Sequence, residues 1–315
     1  PRHILERDID PPVGALFVYN HNPVAVHPHQ KRMRQALSHP DLFTVISEVV
    51  MTDSVPYADV VLPACSHFEH DDVYGAYGQH YLQRARAVIS PVGEALPNAE
   101  VFRRLAQRFG FDSPEFQATD QQLIDDAFLS EDPLLDGLKP SAIDPGTAVP
   151  MEHQGRPRVL FENVYPATPS GKIELYSESL HEAFDCPLPT YKDLDADFPL
   201  TLITPSSDKR CNAIFGGCAD SATTEIVEIH PDDAQARGLR DGDEVRVWNE
   251  RGEVNLTLKI TADVRSGVLC SPKGTWLKTS RYDQTVNALI PDHKTDIGDG
   301  ACYNDTRVEI GALGG

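Results

Sequence analysis

Ala15-Leu16-Phe17-Val18-Tyr19 is apolar at every position over the length of one short strand, and the turn-forming Asn20-His21-Asn22-Pro23 stops it. A run without polar alternation fits a parallel strand covered on both faces. Phe43-Thr44-Val45-Ile46 and Val60-Val61-Leu62 repeat the pattern. A helix is expected around Gln30 to Leu37, and Thr52-Asp53-Ser54 reads as a helix start whose side-chain oxygens cap free amides. Strand–helix–strand alternation of this kind predicts a doubly wound, Rossmann-like α/β domain over residues 1–115.

Beyond the third run, Val101, Phe102, Leu105, Ala106 and Phe109 fall on one helical face, and Gly110 ends that helix. Thr119 and Gln122 have the spacing of a capping box. Residues 116–190 read as a helical and irregular connection, with Ser130 to Tyr165 rich in Pro, Gly and Asp and running over the surface. The last third, 191–315, changes character. Leu200-Thr201-Leu202-Ile203 and Glu225-Ile226-Val227-Glu228-Ile229 are strands, and a short helix follows with Pro231 in its first turn and Gly238 closing it. Glu244 to Trp248 and Val254 to Ile260 alternate in period 2 around Asn249-Glu250-Arg251-Gly252, a half-buried hairpin, and Gly267 to Cys270 adds another strand. Many strands, one short helix and Gly-rich turns predict a small β-barrel.

A chain of 315 residues exceeds what one small core needs, so two domains are expected. With 28 Lys plus Arg against 48 Asp plus Glu, the formal charge is −20, which argues against nucleic acid or an anionic membrane as partner. No apolar run approaches the length of a bilayer span. The cysteines, Cys65, Cys186, Cys211, Cys218, Cys270 and Cys302, form neither a C-x-x-C pair nor an iron–sulfur run, and read as free, mostly buried thiols of a cytoplasmic compartment. G-x-G-x-x-G and G-x-S-x-G are absent, and Ser170-Gly171-Lys172 lacks the earlier Gly and the final Ser or Thr of a phosphate loop. His67 to Asp72 is dense in metal-ligand types, but adjacent side chains point different ways, and the stretch reads as a polar loop.

Two constellations remain. Asn22, Glu48 and Asp59 sit at or near strand ends, where open α/β sheets bind ligands. A guanine base offers N1–H and its N2 amine on one edge, and one carboxylate accepts both. Capping and turn chemistry uses the same residues, so both readings stand. In the last third, Ser206-Ser207-Asp208-Lys209-Arg210 and Lys273-Gly274-Thr275-Trp276 each follow a strand. Hydroxyls, amides and isolated cations suit a pyrophosphate, and Trp276 suits a flat ring; Asn287 and Asn304 add polar groups to the same region. Solvated loops are the bland alternative.

These residues also carry a resemblance. The Ala15 to Pro23 run resembles the strand and N-P turn of the molybdopterin oxidoreductases, the dimethyl sulfoxide reductase superfamily. Met51-Thr52-Asp53-Ser54-Val55-Pro56-Tyr57-Ala58-Asp59-Val60-Val61-Leu62-Pro63 is similar to its M-T-x-T-x-x-x-A-D-V-V-L-P segment, with Glu69 following. Thr168-Pro169-Ser170-Gly171-Lys172-Ile173-Glu174 resembles the stretch before its last domain. His230-Pro231-Asp232-Asp233-Ala234, Gly238, Asp241-Gly242-Asp243, Asn249 to Gly252, Val286 to Leu289 and Asp305 to Glu309 look like its dinucleotide-binding domain. Glu69 to Tyr74 followed by Tyr77-Gly78 is similar to the biotin sulfoxide reductase-like / formate dehydrogenase-like branch, and Ser47-Glu48 stands where formate dehydrogenase-like members often have Gln-Asp.

The resemblance implies a molybdenum or tungsten ion held between two molybdopterin guanine dinucleotides (bis-MGD), with the chemistry in the cofactor and the positioning in the protein. It implies that 191–315 is a double-psi β-barrel. The guanine end is then gripped by Asn22, Glu48, Thr52 and Asp59. The barrel side contributes Thr204, Ser206 and Asn212 of one loop, with Trp276, Asn287 and Asn304. In the family, the iron–sulfur cluster and the metal-ligand residue precede the N-P strand. The chain therefore reads as a C-terminal portion, inactive alone, whose partners are the missing N-terminal domains or a subunit, a small-molecule substrate and an electron carrier. The alternative is a stand-alone nucleotide-binding or scaffold module without redox chemistry.

Overall fold

A computed structural model describes residues 1–129, 138–152, 155–192 and 197–314. After a short helix α1 (Arg2–Glu6), the apolar runs form β1 (Ala15–Tyr19), β2 (Phe43–Glu48) and β3 (Val60–Pro63), a three-stranded sheet of order β1-β2-β3. β1 and β2 are parallel, with Phe17 in register with Val45. The crossover between them carries α2 (Pro23–Val26) and α3 (Gln30–Leu37), which makes one βαβ unit. Val24, Met33 and Leu37 pack with Leu16, and Gln30 Nε2 donates to the Val24 carbonyl at 2.9 Å, fixing α3 against α2.

Two expectations change here. The described residues do not cover the strands on both faces: Val18 and Ile46 are buried against Val55, whereas Tyr19, Phe43 and Val61 are 46%, 50% and 44% exposed. An apolar run reports faces suited to leaving water, not which polypeptide covers them. The helix expected after Thr52-Asp53-Ser54 is a single 3-10 turn, Val55–Tyr57, and Ser54 makes no side-chain cap to it. Those oxygens serve distant partners instead. Ser54 Oγ donates to Asn22 Oδ1 at 2.6 Å and accepts from the Val24 amide at 3.1 Å.

The chain packs as two compact units, Pro1–Val61 with Tyr191–Gly315, and Leu62–Thr190. In the second, β4 (Asp72–Tyr74), β5 (Tyr81–Ala85) and β6 (Ala148–Pro150) form an antiparallel sheet of order β4-β5-β6. These short strands lack an apolar run, and β6 falls in the stretch read as irregular, part of which lies outside the described residues. Helix α4 (Asn98–Phe109) ends at Gly110, φ 75°. It buries Val101 and Ala106 but leaves Phe109 70% exposed, a narrower face than expected. Helix α5 (Asp120–Asp126) has the expected capping box: Thr119 Oγ1 accepts from the Gln122 amide, and Gln122 Oε1 accepts from the Thr119 amide. Helix α6 (Glu178–Phe184) is capped by Ser177. The His67 to Asp72 side chains hold their own loop. Glu69 accepts from the Ser66 and Val92 amides, both at 2.6 Å; the Ser66 side chain first, then these amides, keep its carboxyl below the usual range, and Asp71 accepts from the Ala87 amide and from Arg84.

Returning to the first unit, β7 (Leu200–Ile203), β8 (Ile226–Ile229), β9 (Glu244–Trp248), β10 (Glu253–Ile260), β11 (Val268–Cys270) and β12 (Thr306–Ala312) close into a barrel of order β10-β8-β11-β7-β12-β9. β7/β11 and β8/β10 are parallel and the other pairs antiparallel, which fits a double-psi β-barrel. Closure leaves no free sheet edge. The period-2 alternation of β10 sends Val254, Leu256 and Leu258 inward, where they meet Leu202, Val227, Val247, Leu269 and Val308. Each such side chain contributes roughly 1.5–3 kcal/mol by leaving water. Helix α7 (Pro231–Ala236) follows β8, with Gly238 at φ 66° turning the chain back.

All six cysteines are free; Cys302 is buried but Cys211 and Cys218 are exposed, so the thiols are less uniformly buried than expected. Among the described residues no helix is long and apolar enough to cross a membrane.

Candidate functional site

The first unit contains two adjoining cavities that share Val26, Asn212 and Ala213. Their common wall begins with a glycine-dependent crossing of two loops. Gly274, at φ 94°, passes so close to the Asn212 carbonyl that a Cβ there would stand 1.5 Å from its oxygen. Gly216 and Gly217 lie on the Trp276 ring, where an added Cβ would fall 2.5 and 2.7 Å from ring carbons. Only residues without a side chain permit that approach. Trp276 Nε1 donates to the Ala213 carbonyl at 2.8 Å, and the Lys278 ammonium stands 4.8 Å from the ring centroid. Asp53, 7% exposed, accepts from the Leu277 amide at 2.5 Å and the Lys278 amide at 3.2 Å, bracing this loop from the β2–β3 connection.

The smaller cavity, about 360 Å³, is lined by Thr204, Asn212, Lys273, Thr275, Thr285, Asn287, Tyr303 and Asn304, and by no carboxylate. Lys273 makes no ion pair with any described residue. Behind Thr275 lies Arg210, 2% exposed, whose guanidinium donates to Thr275 Oγ1 and, at 3.4 Å, to the Pro272 carbonyl. Burial pushes Arg210 down to about 10, against the opposing effect of Glu225, so it remains a cation at neutral pH. In a chain of net charge −20, a cavity with a lysine, a buried arginine behind it and no acid in its lining has the local chemistry that suits an anion. Thr285 Oγ1 is buried there without a hydrogen-bond partner among the described residues. Asn304 accepts from the Thr204 amide at 3.4 Å. Asn287 donates through Nδ2 to the Ala25 and His27 carbonyls, so it fixes α2 at the rim and leaves its carbonyl oxygen for other work.

The larger cavity, about 730 Å³, is mostly apolar, with Val49, Val50, Ile214, Phe215 and Trp276 in its wall, and it also receives His21, Asn22, Glu48 and Thr52. Asn22 is oriented by Ser54, which leaves its Nδ2 buried without a partner among the described residues; Thr52 Oγ1 is in the same condition. Glu48 accepts from the Val49 amide at 2.9 Å through one oxygen, and burial raises its carboxyl above the ordinary range. His27 is lowered to about 4 by burial, with a further contribution from His21, whose ring meets it edge-on at 4.9 Å.

Of the ten residues expected from sequence, the structure brings eight onto these two cavities. Asp59 and Ser206 are not among them. Asp59 accepts from the Thr44 amide at 2.7 Å and so pins the loop to β2, and Ser206 is exposed on the polar loop. Reading the sequence missed Thr285, Tyr303, Phe215 and Asp53 as parts of this region. A signal existed for Phe215, since the Gly216-Gly217 pair beside it marks a close backbone approach. For Thr285 and Tyr303 no local pattern exists.

The Molydopterin dinucleotide binding domain family matches residues 200–307, the barrel with its loops, and the Molybdopterin oxidoreductase family matches residues 6–108. The chain is 38% identical over 308 residues to "Probable oxidoreductase YoaE" of Bacillus subtilis (strain 168), covering 96% of this chain and 45% of that protein. It is 27% identical over 299 residues to "Dimethyl sulfoxide/trimethylamine N-oxide reductase" of Cereibacter sphaeroides, covering 84% of this chain and 36% of that one. Acetylene Hydratase from Pelobacter acetylenicus shares the fold with a TM-score of 0.78 at 22% identity, over 99% of this chain and 46% of its own. The chain spans less than half the length of these relatives. The two matching domains, in the order and at the positions where the cavity walls arise, establish that the chain belongs to the dimethyl sulfoxide reductase superfamily of molybdopterin oxidoreductases.

Proposed function

We propose that the two adjoining cavities hold a guanosine dinucleotide end of a bis-molybdopterin guanine dinucleotide cofactor, with its phosphates in the smaller and its base in the larger. One observation carries this reading: a carboxylate-free cavity with a lysine adjoins an apolar one that contains a single acid, Glu48. The orphaned polar atoms support the fit. Asn22 Nδ2 and Thr285 Oγ1 are buried without partners among the described residues, at a cost of about 1–3 kcal/mol each unless a ligand satisfies them. Glu48 accepts the base's N1–H and amine, Asn22 donates to a ring acceptor, and Trp276 and Phe215 exclude water from its faces. Lys273, Thr275, Thr204 and Asn304 surround the phosphates, while Arg210 holds Thr275 and supplies charge from behind.

When bound, the group supplies a metal, molybdenum or tungsten, that cycles between oxidation states two electrons apart. This chain's contribution is to bind, orient and desolvate the dinucleotide. On this reading it acts as part of a longer oxidoreductase or beside a partner subunit that brings the metal ligand, and is inactive alone. The half-exposed Tyr19, Phe43 and Val61 support it, because they are large apolar side chains of the sheet that further polypeptide would suit. The small-molecule substrate and the electron carrier belong to that larger assembly, as does any iron–sulfur cluster.

A calorimetric titration with GDP tests the binding claim. Measurable 1:1 binding is expected, weakened about 10-fold or more by Lys273→Glu, which places a carboxylate in a cavity that has none. Absence of binding to the intact chain, or equal affinity in the variant, disproves the assignment of the phosphates to this cavity.

A further inference from the structure

His293, Cys302 and Asp305 lie outside both cavities and have no part in the binding just described. Their ligand atoms, one imidazole nitrogen, the thiol sulfur and a carboxylate oxygen, all lie within 4.8 Å of one another. His293 Nε2 is 3.6 Å from Asp305 Oδ2, and the Cys302 sulfur stands within 4.8 Å of both. Tetrahedral zinc with bonds of about 2.0–2.3 Å separates its ligand atoms by roughly 3.3–3.6 Å. The trio is therefore within a small side-chain rotation of a coordination triangle.

The backbone preorganises the trio. Lys294 and Ala301 form an antiparallel bridge, so His293 and Cys302 are the next cross-strand pair. The hairpin tip is closed by the Thr295 amide to the Gly300 carbonyl and by the Gly300 amide to Thr295 Oγ1, both at 2.9 Å. A turn from the Asp305 amide to the Cys302 carbonyl, 3.2 Å, brings the carboxylate back beneath the thiol just before β12 begins. His293 and Asp305 are half-exposed, so a cation reaches them from solvent, and Cys302 is buried behind. A thiolate, an imidazole and a carboxylate together favour a borderline transition ion over magnesium or calcium, which take oxygen ligands.

We propose that His293, Cys302 and Asp305 form a site for a zinc-class divalent cation, with water as the fourth ligand. Tyr303 and Asn304, which line the smaller cavity, lie between two of the ligands, and Tyr303 donates to the Val26 carbonyl at 3.2 Å. A bound cation fixes that turn and with it one wall of the cavity.

Cobalt(II) added to the purified metal-free chain is the probe. One equivalent is expected to bind with a thiolate-to-cobalt charge-transfer band, to be displaced by zinc, and to be unaffected by millimolar-range magnesium or calcium. Cys302→Ser should remove the band. His293→Gln, at a half-exposed position that needs no refolding of the core, should weaken binding at least about 10-fold, since loss of even an outer-shell partner has that effect at a built site. A band that persists in Cys302→Ser, affinity unchanged in His293→Gln, displacement by magnesium, or no cobalt binding by the folded chain each overturns the proposal. GDP binding is scored separately, so neither result depends on the other.

Discussion

Gly274→Ala is expected to destabilise the first unit by more than about 3 kcal/mol and to abolish GDP binding, because two penalties coincide at one backbone position. At φ 94° an L side chain is strained, and the Cβ would stand 1.5 Å from the Asn212 carbonyl oxygen and 2.6 Å from its carbon. Neither contact is with a flexible side chain, so relief requires moving the Asn212-Ala213 backbone. That backbone is the wall shared by both cavities and the acceptor for Trp276 Nε1. Gly242→Ala separates the two causes. Gly242 also has positive φ, 84°, but nothing lies within 4 Å of its added Cβ, so strain alone should cost about 1 kcal/mol and leave GDP binding intact. Urea midpoints with calorimetry on both variants check this. Similar losses in the two would show that the loop crossing contributes nothing beyond glycine's conformational freedom.

The contrast between those glycines also marks what can be read from sequence. Gly238, Gly242 and Gly252 follow or lie within turns whose periodic flanks announce them, and the helix, hairpin and barrel strands around them form where the apolar pattern places them. Local signals sufficed there because the causes are local: side-chain period, capping, turn residues. Gly274 and Gly216 owe their role to each other's loops, which lie more than fifty residues apart, and no window of sequence contains that cause. Asp53 is the clearest case of a local signal overruled. In sequence it stands where a helix cap belongs, yet its carboxylate reaches the amides of Leu277 and Lys278. The strands of the first sheet were legible as strands, but whether both faces are covered depends on what packs on them, and Phe43 is 50% exposed. Eight of the ten expected residues line the two cavities because family resemblance carried positional information that spacing alone lacks. Asp59 shows the limit of that argument, since its carboxylate serves the Thr44 amide.

Asp53→Ala is expected to cost about 2–4 kcal/mol and to loosen Trp276, an effect large for one substitution in a loop. The side chain is 7% exposed and its two oxygens each take one backbone N–H, at 2.5 Å from Leu277 and 3.2 Å from Lys278. Hydrogen bonds from amides to an ionised carboxylate are stronger than neutral ones, and truncation leaves two part-buried amides without that acceptor. Alanine therefore loses two charge-assisted bonds and gains no compensating contact. Asn is the discriminating variant. Its carbonyl oxygen accepts from one amide, but its NH₂ then faces the other N–H as donor against donor, so Asp53→Asn should lie between wild type and alanine. The loop that loosens carries Trp276, so its near-ultraviolet signal and GDP affinity should both fall before global unfolding. Stability of Asp53→Ala within about 0.5 kcal/mol of wild type would mean that the Leu277 and Lys278 amides find water or another acceptor, and that Trp276 is held by Gly216, Gly217 and the Ala213 carbonyl alone. The expected loss instead assigns the β2–β3 connection a part in building the larger cavity's aromatic wall.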